Sequence, residues 1–417
     1  MRDAGNNVVS APGSASGQSF IAHAADTLAP DVRVCRRCLC RITGHQPDTV
    51  PADIAVTVVE AESDDCFVCR GVFRQLDDVS ILPLEELRKW EYETFWVGSR
   101  LEFGMLSREK QIAEKLHCEP LHTIKADVNR ELGLRISRHT GKMARMEHPD
   151  MLIVIDISFM TFQLEPSPLF IYGRYRKFKR GIPQTKWPCR KCHGKGCSYC
   201  GNRGKMYETS VEEIVAGPAM AATMAESHSF HGMGREDIDA VMLGEGRPFV
   251  LELWKPMKRS IDLSALRERI NSEGEGRIAV SSLRYSSKDE VRRLKEETPE
   301  KSYVVRFRIL GKINKEKLSA AIEEISGKTL AQRTPVRVAH RRADKVRERR
   351  IIECSLLEYD GDIASVLVRA QSGTYIKELV TGDEGRTQPS ISAALNSSCE
   401  VISLDVLDVS TGADKLW

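Results

Sequence analysis

Eight of the twelve cysteines in this 417-residue chain stand in four Cys-x-x-Cys pairs: Cys35 with Cys38, Cys66 with Cys69, Cys189 with Cys192, and Cys197 with Cys200. Two thiolates separated by two residues can both be turned onto one ion about 2.3 Å away, and two such pairs complete a closed tetrahedral zinc site. The first two pairs are separated by 27 intervening residues and the last two by only four. A disulfide framework is the rival reading, but a reducing cytoplasm opposes it and a chain of this length does not need it. A redox Cys-x-x-Cys is a third reading, and four pairs are too many for that role. Quartets of thiolates leave no open position for water, so both zinc sites are read as structural and neither need be catalytic. Cys40, Cys118, Cys354 and Cys399 are unpaired and are read as ordinary small residues.

Charge is balanced overall, 62 Lys and Arg against 59 Asp and Glu, so the total selects no partner. The distribution is more informative. From Ile171 to Lys205 there are eleven Lys and Arg and no carboxylate, and from Gln332 to Arg350 eight basic residues against Asp344 and Glu348. Concentrated cations in a neutral chain mark a partner with a phosphate backbone, although a solvated charged face produces the same pattern. In the first block Tyr172, Tyr175, Phe178 and Trp187 interleave the cations and are read as base-stacking rings. In the second, Pro335 sets an ordered turn before Arg337, His340, Arg341 and Arg342, which are read as RNA contacts. The most apolar run, 151–160, is interrupted by Asp156 and far shorter than the roughly 20 residues of a membrane span. Residues 1–18 lack the apolar core of a secretion signal and are read as a disordered extension of a cytoplasmic protein.

Helices are expected over 20–28, 84–92, 106–116, 128–132, 211–224 (with Pro218 as a break), 263–270 and 315–325, the last closed by Gly327. Strands are expected over 54–59, 95–97, 151–157, 169–172, 249–253, 280–283 and 303–310. Residues 351–358 and 363–369 read as a hairpin turning at Asp360-Gly361, extended by 374–379 and ended by 401–409. The C-terminal half is thus a mixed sheet with helices.

The second cysteine quartet, Cys189-x-x-Cys-x-Gly-x-Gly-Cys-x-x-Cys200, resembles one repeat of the zinc-binding region of DnaJ chaperones. A single repeat without a His-Pro-Asp motif argues against a chaperone. Three later stretches resemble pseudouridine synthases. His231-Gly-Met-Gly-Arg-Glu-Asp-Ile-Asp239 looks like that superfamily's Gly-Arg-x-Asp loop, Lys301-Ser-Tyr303 like its Lys-x-Tyr element, and Gly373-Thr-Tyr-Ile-Lys-Glu-Leu379 like the Gly-Thr-Tyr-Ile-Arg motif of its TruB family. Ile171–Lys177, Arg180–Cys189, Arg333–Asp344 and Gly382–Ser390 sharpen the match to the archaeal and eukaryotic Pus-ten type of tRNA pseudouridine synthase. That resemblance covers nearly the whole chain. It departs at the polar N-terminal extension and at Cys40, where a glycine is expected.

The resemblance implies an α+β protein: a zinc-containing, THUMP-like RNA-binding region over 19–182, a basic zinc-binding linker over 183–205, and a catalytic domain with a mixed, mainly antiparallel sheet over 206–417. It implies tRNA as partner, bound through T arm and acceptor region, with uridines 55 and 54 as targets; a monomer with no obligate protein partner is expected. It makes Asp237 the catalytic carboxylate. Tyr303 is placed against the uracil, Lys377 beside Asp237 as its ion-pair partner, and Arg235 on the flipped nucleotide or its phosphate. Tyr375, Arg337 and Arg341 complete the expected substrate contacts. Flipping a base from its stack costs a few kcal/mol, which stacking and backbone contacts must offset. Other modifiers with a THUMP module are disfavoured: there is no Gly-rich strand–loop–helix for S-adenosylmethionine and no Ser-Gly-Gly-x-Asp-Ser loop for ATP. A non-catalytic RNA-binding scaffold is the remaining rival.

Overall fold

Alternation builds the first sheet. In strand Met151–Asp156, buried Met151, Ile153 and Ile155 alternate with half-buried Leu152, Val154 and Asp156, the period-2 pattern of a sheet covered on one face. The computed structural model describes residues 32–44, 58–116 and 119–410, without the side chains of His340, Arg341 and Ser410. The expected extension over 1–18, the helix over 20–28 and most of the 54–59 strand lie outside those residues. The chain divides into two compact units between Ser167 and Pro168.

In the first unit the sheet runs in the order Met143–Ala144, Thr94–Arg100, Met151–Asp156, Thr161–Pro166, with only the last pairing antiparallel. Helices Met105–Lys115 and Ile124–Thr140 accompany it. Thr123 caps the second by accepting the Ala126 N–H, and left-handed Gly141 closes it. The expected 84–92 helix shrinks to Leu84–Leu87.

The second unit is a ten-stranded, mainly antiparallel sheet. Its order is Ile278–Ser286, Leu169–Lys177, Val241–Trp254, Cys399–Ser410, Glu300–Ile309, Ile363–Ala370, Val346–Asp360, Thr329–Arg333 and Thr387–Gln388, with Ser227–Gly232 also on Val241–Trp254. Only Cys399–Ser410 with Val241–Trp254 is parallel. Leu169–Lys177 therefore belongs to this sheet, and the boundary expected at 182/183 moves back to 167/168. The reason is packing. A Cβ on Gly173 would lie 2.6 Å from Leu283 and 2.7 Å from Phe249, so this strand fits tightly among those of the second unit.

Helix Lys315–Ile325 matches its expected bounds, with Asn314 accepting the Lys317 N–H as cap. Helix Val211–Thr223 runs through Pro218 without breaking. The hairpin turns one residue later than expected: Asp360 pairs with Ile363, leaving Gly361-Asp362 as the turn. The larger correction is at 374–379, expected as strand. Gly373 turns the chain with φ +82°, Ile376–Thr381 forms a helix, and left-handed Gly382 ends it. Ile376, Leu379 and Val380 are its buried apolar positions, the i, i+3, i+4 spacing of one helical face.

Candidate active site

The segment 233–240 follows strand Ser227–Gly232 and carries Asp237 on a loop braced from below. Gln184 Nε2 donates to the Gly234 carbonyl at 2.9 Å, the Gly181 N–H to the Ile238 carbonyl at 2.8 Å, and Arg180 Nη1 to the Asp239 carbonyl at 2.8 Å. Buried Lys177 donates to the Ile182 carbonyl at 2.8 Å and, more distantly, to those of Asp237 and Ile238. Gly234 is left-handed, φ +68°. A loop fixed through its carbonyls leaves its side chains free for chemistry.

Beneath the loop lies a buried charge cluster. Glu236, with a fully buried side chain, accepts from Arg247 Nε at 2.9 Å and from the Tyr175 hydroxyl at 2.9 and 3.1 Å; Lys177 Nζ stands 3.7 Å away. Burial disfavours the Glu236 carboxylate, but Arg247 and Lys177 outweigh it and hold its pKa below the usual range. Burial pushes the Tyr175 hydroxyl far up. Tyr175 and Lys177 are fully buried and Arg174 nearly so, so this part of the basic block is internal. Tyr175 cannot stack on a base. Trp187 packs edge-on against Tyr207 at 5.4 Å, and the exposed Arg235 guanidinium lies 5.7 Å from the Trp187 ring.

Above the cluster opens a pocket of about 290 Å³, lined by Arg235, Asp237, Lys301, Tyr303, Arg337, Arg342 and Tyr375 among others. Asp237, Tyr303 and the segment 373–376 come from three separate stretches of sequence and meet here. Arg337 Nη1 is 3.1 Å from Asp237 Oδ2. Lys377 Nζ is 3.5 Å from the same oxygen but 2.7 Å from Asp239, so its tighter partner is Asp239. Burial weighs against Arg337, but Glu378, 2.6 Å from its Nε, and Asp237 raise its pKa and keep it charged. Tyr303 is buried and pushed up to about 12, so its ring presents a neutral phenol. The Tyr375 hydroxyl is buried with no hydrogen-bond partner among the described residues. Arg341 lies in the short helix Val336–Arg341 and its side chain is outside the described atoms.

Sequence reading placed Arg337 on RNA and missed it as the nearest cation to Asp237. It also missed Glu236 and Glu378, whose partners lie far away in sequence. The one available signal was that both carboxylates flank residues already singled out, Asp237 and Lys377.

Both cysteine quartets converge, with the sulfurs of each within 4.8 Å of one another. Sγ separations are 3.7 Å for Cys35–Cys69, 3.9 Å for Cys189–Cys197 and Cys192–Cys200, and 3.8 Å for Cys197–Cys200. The edge of a tetrahedron with about 2.3 Å metal–sulfur bonds is about 3.8 Å, whereas a disulfide needs about 2.05 Å. Backbone N–H groups of Cys35, Gly196 and Gly204 point at the sulfurs of Cys66, Cys192 and Cys200 at 3.1 to 3.2 Å. Burial opposes the Cys200 thiolate, but N–H groups of Cys197 and Gly204 bring its pKa down to about 6. The donor set fits zinc.

Residues 170–410 match the family model described as "Pus10, C-terminal", and residues 83–156 the one described as "Pus10 THUMP domain, archaeal". A tRNA pseudouridine synthase Pus10 of Methanothrix thermoacetophila is 42% identical over 84% of this chain and 78% of its own length. The chain belongs to the Pus10 family. Proteins of the same name from Methanothermobacter marburgensis and Archaeoglobus fulgidus are 43% and 41% identical, over 82% and 84% of this chain and 86% and 96% of theirs. Pus10 membership accounts for the mixed sheet and for the THUMP match in the first unit. No described helix is long and apolar enough to cross a membrane.

Proposed function

We propose that this chain isomerises uridine 55 of the tRNA T arm, and also uridine 54, to pseudouridine, with Asp237 as the reacting carboxylate. The convergence of Asp237, Tyr303, Arg337 and Tyr375 on one pocket carries the reading. Such a pocket takes a base turned out of its stack, not a duplex. Arg337 and Lys377 favour an ionised Asp237, the form that acts as nucleophile or base. Tyr303 supplies a flat apolar face for the uracil. Arg235 and Arg342 at the pocket, with Arg341 beside them in sequence, supply cations for the phosphates that flank it. The THUMP-containing first unit binds the acceptor region, both cysteine quartets hold structural zinc, and the protein works in the cytoplasm as a monomer without a catalytic cofactor.

The test is incubation of purified protein with unmodified tRNA transcript, followed by carbodiimide mapping, with Asp237→Ala alongside. Wild-type product in the T arm, and tight binding without product for Asp237→Ala, are the expected results. Tight binding with no product from the wild type would favour an RNA-binding scaffold.

A further inference from the structure

The pocket floor carries more positive than negative charge. Lys177, Arg247 and Lys301 surround one carboxylate, Glu236, while Asp237 and Asp239 face Arg337 and Lys377 on the other side. Lys177 is engaged by Glu236 and three carbonyls, and Arg247 by Glu236 and the Met233 carbonyl. Lys301 differs. It is only 8% exposed, yet no hydrogen bond or ion pair of its side chain occurs among the described residues. A methyl group on Gly234 would sit 3.0 Å from its Nζ, so the amine lies directly under the loop. Two residues before Tyr303 on one face of strand Glu300–Ile309, it lines the same pocket. Burial and the Arg247 charge pull its pKa down to about 8.

The stem of Lys301 is buried while the residue lines the open pocket, so its cation is held at the pocket with no protein acceptor among the described residues and is available to a ligand there. We propose that Lys301 is the group that takes up the negative charge of the uracil as it leaves the ribose. This rests on the pseudouridine reading and adds a role for a residue that reading leaves idle. The N1–C1′ bond breaks heterolytically and its electron pair stays on the ring, spread over N1, O2 and O4. Those oxygens meet the Lys301 ammonium, a fixed charge that needs no reorganisation during the reaction. The Asp237 carboxylate meets the positive charge left at C1′; the ring then turns, C5 forms the new bond to C1′ with the ring's electron pair, the C5 proton passes to Asp237 or water, and N1 takes a proton from solvent. Atoms and electrons balance with no oxidant or co-substrate.

The test compares wild type with Lys301→Met on tRNA carrying uridine or 5-fluorouridine at the target position. Single-turnover loss of the N-linked nucleoside and tRNA affinity are both measured. Fluorine at carbon 5 makes uracil a stronger acid, hence a leaving group that needs less help. The expected result is unchanged affinity, a rate loss of about 100-fold with uridine, and a clearly smaller loss with 5-fluorouridine. Equal losses with both substrates would mark a merely structural role and overturn the proposal, as would a rate within about threefold of wild type. Should Lys301→Met fail to fold, Lys301→Arg and Lys301→Gln replace it: the arginine variant retains most of the rate and the glutamine variant does not, and the reverse order overturns the proposal. A wild type that makes no pseudouridine overturns the functional reading itself, which an active wild type beside an unaffected Lys301→Met would leave standing.

Discussion

The Arg337 guanidinium bridges two carboxylates, with Nη1 3.1 Å from Asp237 Oδ2 and Nε 2.6 Å from Glu378 Oε1. Asp237 is thereby tied to the helix Ile376–Thr381 through a cation from a third segment.

Arg337→Ala leaves the buried Glu378 carboxylate unpaired. The expected loss is about 2–3 kcal/mol of stability, below the range for fully buried pairs because Arg337 is partly open to water. Arg337→Met with Glu378→Gln should recover much of that stability in urea unfolding, but not the turnover, because Asp237 still lacks its nearest cation. Recovery of both would mean that Arg337 serves the fold alone.

Glu236 gives a stability prediction with a definite sign. Its folded pKa is depressed, so its contribution is present above the unfolded carboxylate value of about 4.3 and is lost as pH falls through the folded one. Glu236→Ala should cost about 3–5 kcal/mol at neutral pH, since it strands Arg247 and Lys177 in the interior. The difference between variant and wild type should narrow in strong acid. A constant difference from pH 7 to pH 2 would contradict the ion-pair account.

Lys301 predicts the alkaline limb of activity. It faces Arg247 from strand Val241–Trp254, Glu236 from the loop and Tyr303 from its own strand. With a pKa of about 8, it is charged below that pH and neutral above it. Single-turnover rate should therefore fall about tenfold per pH unit well above 8. Tyr303, at about 12, does not contribute there. Glu236→Gln removes a carboxylate that favours the charged amine and should shift the fall to lower pH. A rate that is flat to pH 10 would rule this out.

Each cysteine quartet should hold one zinc, two equivalents per chain by elemental analysis. Cys66→Ser should lower the melting temperature of the first unit and weaken tRNA binding. Cys192→Ser should act differently. It loosens the segment that sets Trp187 against Tyr207 and near Arg235, raising KM while most of kcat survives. Full metal content in both variants would show that the quartets do not coordinate as read.

Local chemistry was readable where it acts locally. Helix Lys315–Ile325 has an Asn cap, an apolar stripe and a closing glycine within the fourteen residues 314–327, and its bounds follow. The Cys-x-x-Cys pairs and the loop bearing Asp237 are equally self-contained. Residues 374–379 were misread because Thr374, Tyr375 and Ile376 suit a strand, whereas three apolar residues buried at helical spacing make 376–381 a helix ended by Gly382; tertiary packing overrides propensity. Tyr175 and Lys177 were misread for a different reason. Their inward orientation depends on Glu236, about sixty residues later, and no window of sequence shows that a carboxylate waits there. Arg337 is the same case at a separation of one hundred residues.

Strand Cys399–Ser410 is the last of the described strands in chain order, yet it lies inside the sheet, between the strand that follows the Asp237 loop and the strand that carries Lys301 and Tyr303. Until it inserts, the two halves of the pocket are not joined by backbone hydrogen bonds. A ribosome-bound chain would carry every reactive side chain named here before the site exists. The two walls of the pocket are therefore held in register only once Cys399–Ser410 has taken its place between them.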